Sequence, residues 1–164
     1  MENLEQLKIY ETGSMQHDHL DIGIVEMVYK HFDYLSKYPE LKHSKSDIYK
    51  LFREPDFRGY FVYNEHGLLV SYLLGEEMIS NDGRRIFYIA YIYTAPYYRK
   101  KGIASILIKK CIDRSVNIRG IKFIVLTVNS LHQDTTKLYE KLGFNFDPII
   151  DTVNPFVVMS YQAD

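Results

Sequence analysis

The feature that most constrains the fold of this chain is one β-rich strand, then a helix that begins at a glycine, then an apolar strand. The run Arg85–Thr94 is rich in Ile, Tyr and Phe and predicts a strand that Pro96 ends. Helical periodicity follows from Gly102 to about Val116. The run Ile121–Val128 is almost wholly apolar, which is typical of a strand buried on both faces. Because this succession forms a right-handed crossover, the two strands are predicted to be parallel in one sheet.

Two helices are predicted before the main strands. Apolar residues recur near helical spacing over Ile22–Phe32, and Asp18 can cap that helix. A second, shorter helix stops before Pro55, and either Ser44 or Ser46 can cap it. Both helices therefore precede the antiparallel strands.

The remaining elements complete a sheet of about seven strands. The predicted strands are Leu7–Glu11, Tyr60–Tyr63, Leu68–Leu74, Arg85–Thr94, Ile121–Val128, Asn145–Ile150 and Phe156–Tyr161. Turn residues at 64–67 and 80–83 link the second, third and fourth strands into an antiparallel meander. A last helix runs from near Leu131 to Leu142, and Gly143 is placed to end it. We expect one α/β domain of the α+β type over residues 1–164, with a mixed, mostly antiparallel sheet and four helices.

Composition and charge exclude several functions. A net charge of -1 gives no general attraction to nucleic acid or to anionic membranes. The N-terminal residues have no signal-peptide pattern, and the longest apolar run, Ile86–Tyr93, is too short to span a bilayer. The single cysteine, Cys111, excludes an internal disulfide and fits a reducing compartment. We expect a cytoplasmic protein with neither nucleic-acid nor membrane partners.

The turn before the third helix has the chemistry of an anion site. A helix N-terminus presents free backbone N–H groups with the positive end of the helix dipole behind them. Gly102 and Ala104 leave room for a phosphate, and Arg99 and Lys101 add positive charge. The spacing is not that of a P-loop. Taken alone, this turn is also compatible with an ordinary surface loop.

The order of elements around the turn makes it more specific. The pattern Arg-x-x-Gly-x-Ala at 99–104 is followed by a helix, a parallel strand and the segment Leu-Tyr-Glu-Lys-Leu-Gly-Phe at 138–144. This arrangement resembles the GNAT superfamily of N-acetyltransferases. The resemblance covers Arg85–Phe146 closely and the rest of the chain by element order. It implies a GNAT-like fold, splayed at a β-bulge, and acetyl-CoA as co-substrate.

The resemblance also implies roles for particular residues. The turn would bind the coenzyme A pyrophosphate, and the backbone at Ile92–Thr94 would pair with the pantetheine arm. A β-bulge there would splay this strand from its parallel neighbour, with the coenzyme in the gap. A backbone N–H at Ile92 or Tyr93 would polarise the thioester carbonyl, and Tyr139 would protonate the leaving thiolate. His132 lies where many family members have an asparagine that contacts the pantetheine, and Asn129 is nearby at the strand end. The implied coenzyme contacts are Ile92, Tyr93, Thr94, Arg99, Lys100, Lys101, Gly102, Ile103, Ala104, Asn129 and His132.

The general base remains open at this stage. Family members often have Glu or His on the strand before the turn, where this chain has Tyr88 and Ala90. Glu76 and Glu77, on the neighbouring strand, are candidates that would act through a water, and they are equally compatible with solvated hairpin residues. The pair His17 and His19 favours a helix cap over a metal site, so we expect no metal.

The acceptor is predicted only by class. The half of the chain before Arg99 has ten basic and fifteen acidic residues, and the half from Arg99 has ten and six. The acidic residues considered are Asp33, Glu40, Glu54, Glu76 and Glu77. They favour a cationic acceptor, with a small amine or polyamine first and a protein lysine or N-terminus second. An acyl-CoA-binding module without catalysis is the alternative. The apolar strand Phe156–Tyr161 is compatible with a homodimer.

Overall fold

A seven-stranded sheet organises the fold. The computed structural model describes residues 7–15, 22–150 and 152–164. The strands are β1 (Lys8–Thr12), β2 (Phe57–Tyr63), β3 (Leu69–Ile79), β4 (Arg85–Thr94), β5 (Phe123–Asn129), β6 (Asn145–Phe146) and β7 (Phe156–Gln162). They lie in the order β1-β2-β3-β4-β5-β7-β6, in which β4 and β5 are parallel and the other neighbours are antiparallel. The predicted crossover, mixed sheet and meander are confirmed.

Four α-helices flank the sheet in the part of the chain that the structure describes. They are α1 (Ile22–His31), α2 (Lys45–Arg53), α3 (Ile103–Asp113) and α4 (Gln133–Lys141). A π-helical segment, Arg114–Ile118, follows α3 directly. The Asp47 N–H donates to Ser44 Oγ over 3.1 Å, so Ser44 is the cap of α2. The predicted cap Asp18 and the pair His17 and His19 lie outside the described residues.

The helices cover both faces of the sheet. On one face, α1 and α2 bury Val28 and Phe52 against Tyr72 of β3. On the other face, α3 buries Leu107 against Phe87, and fully buried Cys111 belongs to the same cluster. Because β5 is covered on both sides, its apolar sequence is explained by burial rather than by periodicity.

A β-bulge at Ala90 separates β4 from β5. Tyr91 pairs with Leu74 and Ile89 pairs with Gly75, so Ala90 is the extra residue on β4. The pairing of β4 with β5 ends at Ile89. The bulge thus comes two residues earlier than the expected position within Ile92–Thr94, and the splay of the sheet begins there.

Gly75 permits this bulge because it lies against the opposite strand. A Cβ at Gly75 would lie 2.3 Å from the Tyr88 carbonyl oxygen and 2.7 Å from the Phe87 ring. No side chain larger than hydrogen fits in that space without moving the backbone. The close approach of β3 and β4 at the bulge therefore requires glycine at position 75.

Strand β6 is shorter than predicted. Strand β6 has two residues, Asn145 and Phe146, instead of the predicted Asn145–Ile150. The Asp147 carboxylate accepts the Ile149 N–H over 3.1 Å, which turns the chain away from the sheet. The same carboxylate accepts hydrogen bonds from Arg84 at 2.8 Å and Ser160 at 2.6 Å. These side-chain bonds are long-range, so strand periodicity alone did not predict them.

Helix α4 ends as predicted at Gly143. This glycine has a φ of 97°, and the Phe144 N–H donates to the Tyr139 carbonyl over 3.0 Å. The Gly143 N–H donates to the Glu140 carbonyl over 3.0 Å, so the end of α4 is a Schellman motif. The motif folds Phe144 back onto the Tyr139 ring and fixes the position of that ring.

Candidate active site

A cleft of about 310 Å³ lies where β4 and β5 separate. Because the sheet is open there, residues from both faces of the sheet line the cleft. Tyr139 and His132 contribute from α4, and Phe156 contributes from β7. The other lining residues are Phe32, Tyr34, Leu35, Leu41 and His43 between α1 and α2, residues 88–92 of β4, residues 126–129 of β5, and Thr135. The cleft thus brings residues of the helical connection, the two central strands and the last helix to one space.

The free edge of β4 presents backbone groups to this cleft. The Ala95 N–H donates to the Val70 carbonyl of β3 over 2.8 Å. Backbone groups alternate in direction along a strand, so the Tyr93 N–H also points toward β3. The N–H groups of Ile92 and Thr94 therefore point toward the gap. Of the two expected oxyanion donors, the Ile92 N–H thus points toward the gap and the Tyr93 N–H points toward β3.

The turn before α3 leaves an open helix N-terminus. Gly102 is the N-cap residue, with a φ of 84°, and no side chain caps the helix. The first α-helical bond runs from the Ile106 N–H to the Gly102 carbonyl over 3.1 Å. The N–H groups of residues 103–105 therefore precede the intrahelical ladder and are available to an anion. Lys100 also has a positive φ, 62°, which tightens the turn.

Aromatic rings and a carbonyl hold the basic side chains of the turn. Arg99 Nε donates to the Thr94 carbonyl over 2.8 Å, and its guanidinium lies 5.6 Å from the Tyr93 ring centroid. Lys101 Nζ lies 4.2 Å from the Tyr97 ring centroid. Such cation–π contacts leave the charge in place while they restrict the side chain. Positive charge is thus positioned beside the open helix N-terminus.

Tyr139 lies in the cleft and is 6% exposed. Burial raises the pKa of Tyr139 to about 12, so the hydroxyl keeps its proton at neutral pH. Asn129 and His132 also line the cleft. Asn129 Oδ1 accepts the Leu131 N–H over 2.9 Å and so shapes the connection between β5 and α4. The predicted residues Ile92, Asn129, His132 and Tyr139 therefore converge on one space, whereas Tyr93, Thr94 and the turn residues 99–104 are not part of its lining.

The two carboxylates considered as bases do not line the cleft. Glu77 Oε2 lies 3.1 Å from Arg85 Nη2, and Glu77 Oε1 lies 3.7 Å from Arg119 Nε. Burial raises the pKa of Glu76, and the nearby carboxylates of Glu54 and Asp56 raise it further. Glu77 is therefore part of an ion-pair cluster, and neither residue is placed to contact an acceptor.

His43 is a cleft residue that sequence reasoning missed. It comes directly before the α2 cap, in a polar stretch with no pattern to distinguish it, yet it is 6% exposed. Its Nδ1 lies 3.0 Å from the Tyr91 hydroxyl, and its ring stacks on Tyr29 with centroids 5.4 Å apart. Only the tertiary contact between the segment before α2 and Tyr91 of β4 brings this imidazole into the cleft.

The cleft has no carboxylate among the described residues that line it. Asp33 and Glu40 lie on the connection between α1 and α2, where they are exposed and outside the lining. Its walls on the α1 and α2 side are aromatic or aliphatic, with Phe32, Tyr34 and Tyr91 among them. The acidic half of the sequence therefore does not make this cleft acidic.

Comparison with known proteins identifies the class. The acetyltransferase (GNAT) family model matches residues 25–144, and the chain belongs to that family. An uncharacterized N-acetyltransferase of Methanocaldococcus jannaschii is 28% identical over 153 residues, which are 92% of this chain and 67% of the relative. The predicted family and the predicted enzyme class are confirmed.

Solved structures share the fold at low sequence identity. NAA60 of Arabidopsis thaliana, in complex with a bisubstrate analogue, has a TM-score of 0.67 and 14% identity, covering 94% of this chain and 98% of that chain. The spermidine/spermine N-acetyltransferase SpeG of Vibrio cholerae, in complex with manganese ions, has a TM-score of 0.64 and 19% identity, covering 96% and 93%. The PaiA N-acetyltransferase of Thermoplasma acidophilum, in complex with coenzyme A, has a TM-score of 0.63 and 17% identity, covering 95% and 99%.

The described residues include neither a metal-binding cluster nor a membrane-spanning helix. Within residues 7–15, 22–150 and 152–164, no cluster of three or more His, Cys, Asp or Glu side chains is arranged to hold a metal ion. No helix in the same ranges has the length and apolarity that crossing a membrane requires.

Proposed function

We propose that this chain transfers the acetyl group of acetyl-CoA to a primary amine by direct attack in a ternary complex. The observation that carries the proposal is the splayed edge of β4, which ends in an uncapped helix N-terminus. A strand edge offers hydrogen bonds to a pantetheine amide, and the helix N-terminus offers N–H groups to a pyrophosphate. The strand edge and the helix N-terminus follow each other along the chain, just as the pantetheine and the pyrophosphate follow each other in coenzyme A.

Residues along this path have separate roles in the proposal. The N–H groups at 103–105, with Arg99, Lys100 and Lys101 around them, bind the pyrophosphate. The N–H of Thr94 pairs with the pantetheine, and Asn129 and His132 contact it from the β5 side. The Thr94 carbonyl already accepts from Arg99, so Arg99 competes with the pantetheine for that oxygen.

The chemical step follows from the cleft geometry. The amine nitrogen attacks the thioester carbon, the C–N bond forms, and the Ile92 N–H stabilises the oxyanion. The C–S bond then breaks and the sulfur leaves as a thiolate. Tyr139 donates its proton to that sulfur, and solvent later returns a proton to the phenolate. The buried surroundings that raise the Tyr139 pKa also favour the neutral thiol over the thiolate.

The cleft walls refine the acceptor class. A small amine remains our first choice, and a protein lysine or N-terminus remains the second. The described lining has aromatic rings and no carboxylate, so an ammonium group is held through ring faces. A polyamine carries further charges that these walls do not neutralise. We therefore favour a small amine with an apolar body over a polyamine.

Two measurements test the donor and the reaction. We expect coenzyme A to raise the unfolding temperature and to bind in isothermal titration. A failure of coenzyme A to bind would refute the proposal. Release of free thiol from acetyl-CoA, with an amine present, then separates catalysis from the alternative of a coenzyme-binding module that has no activity.

An amine panel tests the acceptor. Benzylamine, spermidine, an aminosugar and a short peptide with a free N-terminus differ in charge and in apolar surface. We expect the largest kcat/KM with benzylamine. A clear preference for spermidine would contradict the argument from the neutral walls and would leave the donor assignment intact.

A further inference from the structure

The base that activates the acceptor follows from the same cleft, and this inference rests on the proposed function. We propose that His43 takes the proton of the acceptor amine at Nε2, while the Tyr91 hydroxyl holds the ring through Nδ1. The family's usual position on β4 has no acid or imidazole, since Tyr88 and Ala90 stand there. The base is thus supplied by the segment before α2 instead of by β4.

The burial of His43 is the first observation. The residue is 6% exposed and lines the cleft, and its Nε2 has no hydrogen-bond partner among the described residues. Buried polar side-chain atoms almost always have a partner, so an unpartnered atom in a residue that lines a cavity is a candidate contact for a ligand. An amine in the cleft would supply that partner.

The orientation of the ring is the second observation. Nδ1 and the Tyr91 hydroxyl are 3.0 Å apart, and the ring lies parallel to Tyr29, with an interplanar angle of 4°. When Nδ1 donates its proton to the Tyr91 oxygen, the lone pair is on Nε2. Tyr91 is adjacent to Ile92, so the base and the oxyanion donor are held by consecutive residues of β4.

The charges around His43 suit a proton acceptor. Burial lowers the pKa of His43, so the imidazole is neutral at pH 7 and able to accept a proton. The Tyr29 carbonyl, and then the carboxylates of Asp47 and Asp33, raise the pKa of His43 and so oppose the effect of burial. They therefore stabilise the imidazolium once it forms. Lys45, whose Nζ lies 5.5 Å from the Tyr29 ring centroid, is the basic side chain packed near this stack.

The other titratable residues of the cleft are less suited to this role. Tyr34, Tyr88 and Tyr139 all have pKa values raised by burial, so they keep their protons. His132 is the other lining imidazole, and it is exposed on α4 at the end of the cleft assigned to the pantetheine. Among the described residues that line the cleft, His43 is thus the best candidate for the base, because its buried imidazole is neutral and has a free lone pair.

The protons balance across the reaction. His43 Nε2 takes one proton from the bound ammonium, and the neutral amine then attacks the thioester carbon as the C–N bond forms. The nitrogen, now positively charged, loses its second proton to solvent, and the thiolate receives its proton from Tyr139, as described above. His43 then loses its proton to solvent, and solvent reprotonates Tyr139. An ammonium substrate and acetyl-CoA thus give the amide, coenzyme A and one released proton.

The substitution His43→Gln tests the base. We expect kcat to fall about 100-fold, as for the loss of a general base, with the coenzyme A Kd within about twofold of wild type. His66→Gln is the matched control, because His66 is exposed in the β2–β3 turn, and it should retain wild-type kcat. Thermal unfolding of both variants establishes that they are folded.

The pH profile and chemical rescue separate a base from a structural role. Wild-type kcat should rise with pH through an apparent pKa below the ordinary histidine value of about 6.5 and then level off. His43→Gln should lose this step and rise only toward the pKa of the amine, near 10. Added imidazole should restore activity to folded His43→Ala at least tenfold and should leave wild type unchanged. Tyr91→Phe should keep the step at reduced kcat.

The outcomes distinguish this inference from the proposed function. If wild type neither binds coenzyme A nor releases thiol with any amine, the proposed function is wrong. If wild type is active and folded His43→Gln keeps both its kcat and its pH step, His43 is not the base and the proposed function stands. A loss of activity in His43→Ala without rescue by imidazole, together with an unchanged pH step in His43→Gln, would also overturn the inference.

Discussion

Gly102 allows the coenzyme site to be tested separately from the fold. Its φ of 84° is in the left-handed region, and a Cβ built there has no atom within 4 Å. The substitution Gly102→Ala therefore strains the backbone without a clash. This strain costs roughly 1–2 kcal/mol. At about 2–4 °C per kcal/mol for a chain of this size, the melting temperature should fall by about 2–8 °C.

The open space at Gly102 is where the proposal places a pyrophosphate. An added methyl group would keep the phosphate from at least one backbone N–H. A hydrogen bond to a charged group contributes about 1.5–3 kcal/mol, so the coenzyme A Kd should rise roughly 10- to 100-fold. Isothermal titration with coenzyme A measures this change directly.

Gly83 provides the matched control. It has a φ of 88° in the β3–β4 turn, and a Cβ there also has no atom within 4 Å. Gly83→Ala should therefore lower the melting temperature by about as much as Gly102→Ala does, and it should bind coenzyme A with wild-type affinity. Wild-type binding by Gly102→Ala, or an equal loss of affinity in both variants, would refute the assignment of the pyrophosphate to this turn.

Three further predictions concern the acid, the bulge and a buried ion pair. Tyr139→Phe should lower kcat about 100-fold across the pH range, measured by thiol release, with coenzyme A affinity within about twofold. Gly75→Ala should lower the free energy of unfolding, measured in urea, by about 1–3 kcal/mol, because its Cβ would overlap the Tyr88 carbonyl oxygen. Burial alone would raise the Asp147 pKa, but bonds from Ser160 and Arg84 outweigh it and lower that pKa. This carboxylate therefore stabilises the fold above its unfolded pKa of about 3.9, and the effect is lost as pH falls through the folded pKa. Asp147→Asn should thus cost about 1–3 kcal/mol at pH 7 and progressively less in acid.

Each of these has a contradicting result. Unchanged acetyl transfer by Tyr139→Phe at every pH would exclude the acid role. Wild-type stability of Gly75→Ala would mean that the bulge tolerates a Cβ. A stability gap for Asp147→Asn that stays constant between pH 7 and pH 3 would show that the ionised carboxylate is not the stabilising species.

The strands and helices were largely predictable because their signals are local. Strand β4 was predicted with its observed bounds, and Gly143 ends α4 through a motif that depends on adjacent residues. The predicted bounds of β6 were wrong because Asp147 turns the chain through partners distant in sequence. The bulge at Ala90 was predicted as a feature and misplaced by two residues, since its position depends on Gly75 across the sheet.

The candidate site divides in the same way. The sequence alone determined the order of strand, turn and helix, and with it the open helix N-terminus at Gly102, because backbone N–H groups at a helix start are a local property. The directions of the Ile92 and Tyr93 N–H groups depend on pairing with β3, so only the sheet register separated them. The tertiary structure also moved Glu77 into an ion-pair cluster and brought His43 into the cleft, where Tyr91 orients it. Both outcomes depend on contacts between different elements, across the β3–β4 pairing for Glu77 and between the α2 approach and β4 for His43, and no pattern within one segment encodes such a contact.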